Sequence, residues 1–307
     1  MGHMIRLGTR GSKLAIAQSQ QVADALKELG HRVEIQLIET RGDVTSGSLA
    51  GLGGDGLFTK ELQKALLDEV IDLAVHSLKD LPTDPVDGLE IAAIPSRQDP
   101  RDCFVLPGHK LLNSIDDLPK GTVVGTGSLR RKSQLLRIRP DINIKSIRGN
   151  VDTRIKKLEA GEFDAIVLAC AGLNRLDLSH RISFAIPVTL VQPAVGQGAL
   201  GLEIRRSDNK TREAIQPINC PQTAACVLAE RTLLNQLSAG CIAPVGTTTD
   251  VNSANELSLT AIVLSEDGTK YFEIAKSGSI ENYNELGKRA AQELLAKGAD
   301  KIIDPFR

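Results

Sequence analysis

The sequence predicts an α/β protein with mixed sheets, followed by a small α+β domain at the C-terminal end. Three observations carry this reading. Short apolar runs alternate with helix-period stretches through the first two thirds of the chain. A polar, proline-bearing run, PSRQDPRD (95–102), interrupts the alternation and reads as a hinge or linker, and VQPAVGQGALG (191–201) reads as a second. Beyond about residue 217 the pattern changes to a helix, two strand-like runs and a closing helix.

Taken in order, IRLGTR (5–10) alternates like a strand. SKLAIAQSQQVADALKELG (12–30) has apolar residues at helical spacing and stops on Gly30. VEIQLIET (33–40) is a strand, FTKELQKALLDEV (58–70) a helix and IDLAVHSL (71–78) a strand. TVVGTG (122–127) leads into a helix, SLRRKSQLLRIR (128–139), which Pro140 stops. INIKSIRG (142–149), VDTRIKKLEAG (151–161), DAIVLAC (164–170) and AGLNRL (171–176) continue the alternation. In the last part, AACVLAERTLLNQL (224–237) and YNELGKRAAQELLAKG (283–298) are helices. Between them, Asp267-Gly268 divides two strand-like runs, a hairpin signal.

Composition removes several function classes. The 307 residues are 41% hydrophobic and 24% charged, as expected of a globular chain with packed cores. Aromatics make up 3% and there is no Trp, so stacking on nucleic-acid bases is not a mode this chain is built for. A formal net charge of −1 gives no global attraction to nucleic acid or anionic membranes. No apolar run is long enough to span a bilayer, and the N-terminus lacks the apolar core of a signal peptide. The five cysteines, Cys103, Cys170, Cys220, Cys226 and Cys241, are widely spaced. An odd count without a CxxC pair argues against a disulfide framework and a zinc site, and for a cytoplasmic, reducing compartment.

The charge is unevenly distributed. Between Gly121 and Arg154 stand eight basic residues, namely Arg130, Arg131, Lys132, Arg137, Arg139, Lys145, Arg148 and Arg154, opposed only by Asp141 and Asp152. Arginine dominates, which suits bidentate recognition of carboxylate or phosphate. GTRGS (8–12), GTGSLRR (125–131) and RGNVDTR (148–154) place these residues, with Arg10, Ser12 and Ser128, where a strand passes into a helix. Helix N-termini favour anions, and ligands of open α/β sheets settle at the carboxyl ends of strands. The plain alternative for RRKSQLLRIR is a solvated helix face. AVHSLKDLP (74–82) ends another apolar strand in His76, Ser77, Lys79 and Asp80. An ionised carboxylate among anion-holding arginines is well placed to stabilise a cationic intermediate. For His76 a hydrogen-bonded, partly buried histidine is the competing reading. LSAGCIAPVG (237–246) puts Cys241 in a glycine-flanked, turn-like stretch, the least core-like setting of the five cysteines.

Nine stretches in order, GTRGSKLAIAQ, GLFTKEL, AVHSLKDLP, DPRDCFV, VGTGSLRRKSQL, RGNVDTR, AGLNRL, PAVGQGALG and LSAGCIAPVG, resemble the motifs of the porphobilinogen deaminase (hydroxymethylbilane synthase) family. The resemblance implies two periplasmic-binding-protein-like lobes, residues 1–97 with 193–216 and residues 98–192, and a third α+β domain over 217–307. It implies a transferase that joins four porphobilinogen molecules into hydroxymethylbilane, releasing ammonia at each addition. The chain would grow on a dipyrromethane cofactor bound covalently through Cys241, whose loop lets the arm reach a cleft between the lobes. Asp80 matches the catalytic aspartate. Lys79, Asp80, Thr126, Ser128, Arg130, Arg131, Arg154 and Gly172 match cofactor-binding positions, and Arg10, Ser12, Arg148, Arg175 and Gln197 match substrate-binding ones. The proton donor to the departing ammonia is Asp80 or an arginine. A cytoplasmic monomer without nucleic-acid, membrane or metal dependence, passing its product to uroporphyrinogen-III synthase, completes what the resemblance implies.

Two departures from the family pattern fall in SGSLAGLGGDGLF (46–58), a mobile lid in the family. Asp55 replaces a lysine, and Gly51 stands where several relatives have lysine. Gly127 replaces a small polar residue or alanine. The alternative function is a two-lobed binding protein for a carboxylated small molecule, which would need neither Cys241 nor its domain. A transcriptional regulator on the same fold would need a DNA-binding segment that the sequence does not display.

Overall fold

Apolar residues alternate along the first strand, and the structure uses both of its faces. In the computed structural model, which describes residues 4–39, 59–240 and 242–306, Ile5 and Leu7 of β1 (Met4–Thr9) are wholly buried. Helix α1 (Lys13–Glu28) is capped by Ser12, whose Oγ accepts from the Ala15 N–H at 3.3 Å. It ends at Gly30, which takes the left-handed φ of +85° that an L side chain resists. Next come β2 (Arg32–Leu37), α2 (Lys60–Leu67), β3 (Leu73–Ser77), β4 (Leu89–Ala93) and β5 (Asp102–Val105). The middle of the chain supplies β6 (Val123–Gly125), α3 (Leu129–Ile138), β7 (Asn143–Lys145), α4 (Val151–Glu159), β8 (Ala165–Ala169), α5 (Cys170–Arg175) and β9 (Phe184–Ala185). The last third holds β10 (Leu200–Arg205), α6 (Asn209–Ile215), α7 (Pro221–Gln236), β11 (Val245–Val251), β12 (Glu256–Leu264), β13 (Tyr271–Ser279), α8 (Tyr283–Ala296) and α9 (Asp300–Ile303).

The chain divides into two compact units, Met1–Arg97 with Ala199–Ala224, and Gln98–Gly198 with Ala225–Arg307. The first contains a five-stranded sheet in the order β2-β1-β3-β10-β4, in which β10 runs antiparallel to both neighbours. Period-two alternation gives this sheet a core on each face. Leu73 and Val75 pack with Val22 and Leu26 of α1, while Ala74 packs with Leu62 and Leu66 of α2.

The second unit holds two sheets. One, β7-β6-β8-β5-β9, repeats the order of the first unit's sheet: second, first and third strands parallel, then an antiparallel strand, then the fourth. Here too the faces alternate, Ala165 and Val167 on one side and Ile166 and Leu168 on the other. The other sheet, β11-β12-β13, is antiparallel, and one of its faces, Leu257, Leu259, Ala261 and Val263, packs with Leu233 and Leu237 of the α7 segment and Leu286, Ala290 and Leu294 of α8. The architecture is α/β with two mixed sheets and a small antiparallel sheet, as expected. Among the described residues no helix is long and apolar enough to cross a membrane.

Both stretches expected as linkers are corrected in part. The polar run 95–102 ends inside β5, where Asp102 is fully buried. The run 191–201 is mostly buried: the Gly196 N–H donates to Glu230 Oε2 at 2.7 Å, and a side chain at Gly198 would meet the Gln98 carbonyl oxygen at 2.5 Å. Polar sequence marked the passage of the chain between units but not the burial of its ends.

Candidate functional site

In the first unit the apolar strand β3 ends in a single 3₁₀ turn, Leu78–Asp80. Leu78 and Leu81, 1% and 4% exposed, anchor the turn, and the Leu78 N–H donates to the Ala199 carbonyl at 3.1 Å. Asp80 lies between these anchors with its side chain exposed, and among the described residues its carboxylate has no hydrogen-bond or ion-pair partner. A carboxylate carried on a fixed turn and left without internal donors keeps its acceptor capacity for a ligand. Lys79 lies beside it, partly buried. Arg10 follows β1 and Ser12 caps α1, so both stand at the carboxyl end of the neighbouring strand, as the sequence implied. His76 is a buried core histidine. Its Nε2 is 2.9 Å from Glu203 Oε2, and Glu203 Oε1 accepts from Gln63 Nε2 at 3.0 Å.

In the second unit the strand-to-helix junctions are capped by Ser128, which the sequence indicated, and by Asn150, which it did not single out. Ser128 Oγ accepts from the Arg131 N–H at 3.4 Å at the start of α3. Asn150 Oδ1 accepts from the Thr153 N–H at 3.0 Å at the start of α4. Thr126, 4% exposed, orders the first junction by accepting from the Ser128 N–H at 3.2 Å. The solvated-face reading fails for Arg130 and Arg131, which are buried, and both guanidiniums turn to Asp102. Arg131 Nε and Nη2 donate to Asp102 Oδ1 at 3.0 and 2.7 Å, and its Nη1 donates to the Val167 carbonyl at 2.9 Å. Arg130 Nη1 lies 2.8 Å from Asp102 Oδ2 and donates to the Gln192 carbonyl at 2.6 Å. Gln197, 1% exposed, donates through Nε2 to the same Asp102 Oδ1 at 2.9 Å and to the Pro100 carbonyl at 2.7 Å.

The electrostatics of this cluster are lopsided. Burial pushes the Asp102 carboxyl up, but the two guanidiniums outweigh it and hold it well below the usual carboxylate range. Burial lowers Arg130, against the pull of Asp102. Burial, and then the neighbouring Arg131 guanidinium, brings Arg154 down to about 10. Its Nε donates to the Gly149 carbonyl at 2.7 Å. Arg175 is lowered to about 10 by burial. Its Nη2 donates to the Gly198 carbonyl at 2.8 Å, while among the described residues its buried Nε has no acceptor. Arg130, Arg154 and Arg175 are each less comfortable as cations than in water, which is the state an arriving anion relieves.

The remaining basic residues separate by role. Arg139 serves structure, tying Asp141 and the carbonyls of Ile115 and Leu118. Lys132 pairs with Glu266 at 2.7 Å and Arg137 lies over the Tyr271 ring, both on the β12–β13 hairpin. Arg148 is exposed, and among the described residues it has no ion-pair partner. Gly172 lies within α5. Cys241, Gly51 and Asp55 lie outside the described residues. Of the other cysteines, Cys103, Cys170 and Cys226 are buried, and Cys220 is half-buried just before α7. Sequence reasoning missed Asp102, the hub of the cluster. Its only signal was a second acidic residue inside DPRDCFV, a motif that was noticed as a whole.

A cofactor rich in carboxylates suits these residues. Among the described residues two buried guanidinium nitrogens of this cluster, Arg130 Nε and Arg175 Nε, have no acceptor; Arg130 and Arg131 share the buried carboxylate of Asp102, while Arg154 and Arg175 donate to backbone carbonyls. Residues 5–213 match the model for "Porphobilinogen deaminase, dipyromethane cofactor binding domain", and residues 224–296 match "Porphobilinogen deaminase, C-terminal domain". The chain is 45% identical over 304 residues to the porphobilinogen deaminase of Syntrophobacter fumaroxidans, covering 98% of this chain and 97% of that one. It is 44% identical over 306 residues to that of Thermus thermophilus, covering 99% of each. Solved structures similar to it include a periplasmic binding protein of Salmonella typhimurium with high arginine specificity (13% identity, TM-score 0.36, 71% of this chain and 92% of that one). An ancestral arginine-binding protein bound to glutamine is another (16%, 0.35, 71% and 91%). Two family models in sequence along the chain, and relatives matched from end to end, place this protein in the porphobilinogen deaminase family.

Proposed function

We propose that this chain is a transferase that joins four porphobilinogen molecules head to tail into hydroxymethylbilane, releasing one ammonia per addition. The observation that carries the reading is the family match over nearly the whole chain, with the motif AVHSLKDLP folded so that Asp80 is presented at a strand end. A dipyrromethane group held through the sulfur of Cys241 supplies the primer on which the pyrrole chain is built.

The chain's own residues then have distinct tasks. Arg130, Arg131 and Arg154, with Lys79, Thr126, Ser128 and Gly172, hold the cofactor. Arg10, Ser12, Arg148, Arg175 and Gln197 serve the incoming substrate. Each porphobilinogen carries an acetate and a propionate, which planar guanidinium donors match. Asp80 accepts hydrogen bonds from pyrrole N–H groups and stabilises the positive charge that develops as the aminomethyl nitrogen departs, an anion fixed in place before the charge appears. Gln197 acts from behind, since both of its Nε2 hydrogens are engaged inside the unit. The third domain over 217–307, a cytoplasmic location, a monomeric state and passage of the product to uroporphyrinogen-III synthase belong to the same proposal. The cysteine pattern supports a reducing compartment.

The test is turnover of porphobilinogen, read as ammonia release and hydroxymethylbilane formation. Asp80→Ala touches no packed contact, so it should keep the thermal midpoint of the wild type. Its kcat should fall by a factor of about 10² or more, as expected when a fixed electrostatic partner of the transition state is lost. Near-normal turnover in that variant would refute the role of Asp80.

A further inference from the structure

We propose that Asp102 is a positioning residue for the reaction. By gathering Arg130, Arg131 and Gln197 on one buried carboxylate, it fixes which guanidinium edges face the carboxylates of the cofactor and of the pyrrole chain that grows on it, and how much positive charge they present. The inference rests on the activity proposed above and deepens it.

The geometry is that of a hub. Oδ1 of Asp102 accepts three donors, Arg131 Nε, Arg131 Nη2 and Gln197 Nε2, and Oδ2 faces Arg130 Nη1 at 2.8 Å. Asp102 is 0% exposed, and Arg130 and Arg131 are 4% and 6% exposed. A buried ion pair kept for packing alone would be neutral, because an uncompensated buried cation is costly. Here one carboxylate faces two guanidiniums, so one positive charge remains, and Arg154 adds a further cation close enough to Arg131 to be felt. The donor count agrees. A guanidinium has five N–H groups. Among the described residues Arg131 uses three of them, leaving two, and Arg130 keeps a buried Nε with no acceptor. Asp102 therefore takes one edge of Arg131, holds the plane of the guanidinium, and leaves the rest of the charge for a ligand.

Steady-state kinetics with porphobilinogen, together with the intact mass of the purified protein, distinguish positioning from scaffolding. In Asp102→Asn the arginines lose their register, so the share of folded chain that carries the dipyrromethane mass should fall, and KM should rise roughly tenfold or more while kcat falls by a smaller factor, the loss expected when charge-assisted contacts to the carboxylates of the cofactor and growing chain weaken. A scaffolding role would lower the amount of folded protein and leave KM alone. If Asp102→Asn does not fold, Gln197→Met decides. It keeps side-chain volume and both ion pairs but removes the donor that serves Asp102 Oδ1 and the Pro100 carbonyl, and KM should rise roughly twofold to fivefold. A KM unchanged from wild type in the folded variant overturns the inference. A wild-type chain that leaves porphobilinogen unconsumed overturns the activity itself, and the inference with it.

Discussion

Asp72 shows what a single buried carboxylate contributes in the first unit. It accepts from the Arg6 N–H at 3.0 Å, from Arg6 Nε and Nη2 at 2.9 and 2.6 Å, and from Arg205 Nη2 at 3.1 Å. Burial pushes its pKa up, but these donors bring it down from 3.8 to about 2. A carboxyl lowered by folding stabilises the native state above its unfolded pKa, and that stabilisation is lost as pH falls toward the folded value. With Arg6 more than a third exposed, the contribution is about 1–2 kcal/mol. The gap in thermal midpoint between wild type and Asp72→Asn should therefore be full at pH 5 and should close between about pH 4 and pH 2. A gap that stays constant would contradict the assignment. At this scale the sequence was a partial guide. Arginine surplus and strand-end position were visible in GTGSLRR and RGNVDTR, because charge and turn signals are local. The partner that organises two of those arginines was not visible. Asp102 stands in a polar run whose hydration cannot be read from composition, and its contacts come from residues 29 and 95 positions away. The two readings of His76 likewise needed Glu203, 127 positions on, to separate them.

Elements with a long apolar period were legible almost to the residue. The helix read over 128–139 is α3, Leu129–Ile138, and the one read over 283–298 is α8, Tyr283–Ala296. The strands that escaped, β4, β5, β9, β10 and β11, are short, glycine-bearing or rich in threonine, and sheet neighbours rather than their own pattern determine them. Asp267-Gly268 marked the β12–β13 hairpin correctly, and the structure adds a reason for its glycine. Gly268 has φ +74°, and a Cβ there would meet the Ser133 carbonyl oxygen of α3 at 2.3 Å. The hairpin tip rests on that helix, with Ser133 Oγ donating to the Glu266 carbonyl at 3.3 Å. Gly268→Ala should thus add a steric cost to the ordinary left-handed penalty, about 2–4 kcal/mol in all. Gly161→Ala, with φ +79° and open space around it, should cost only about 1 kcal/mol. Denaturant midpoints of the two variants check this, and equal losses would show that the tip does not bear on α3.

For the whole molecule, the repeated strand order says more than either sheet alone. In each of the two five-stranded sheets the antiparallel strand follows a crossing of the chain from one unit to the other: β5 begins shortly after Arg97, and β10 directly after Gly198. The sequence announced the two crossings as polar or glycine-rich runs but concealed the strands they feed, because those strands are completed only by partners from the unit they enter. In the sequence, the cysteine on which the proposed chemistry depends, Cys241, stands between the residues of α7 and those of β11. The most direct measurement is the intact mass of the purified chain with and without Cys241→Ser. The wild type should exceed its sequence mass by one dipyrromethane unit, and the variant should match its sequence mass and turn over no porphobilinogen. An unmodified mass in fully active wild-type protein would contradict the account.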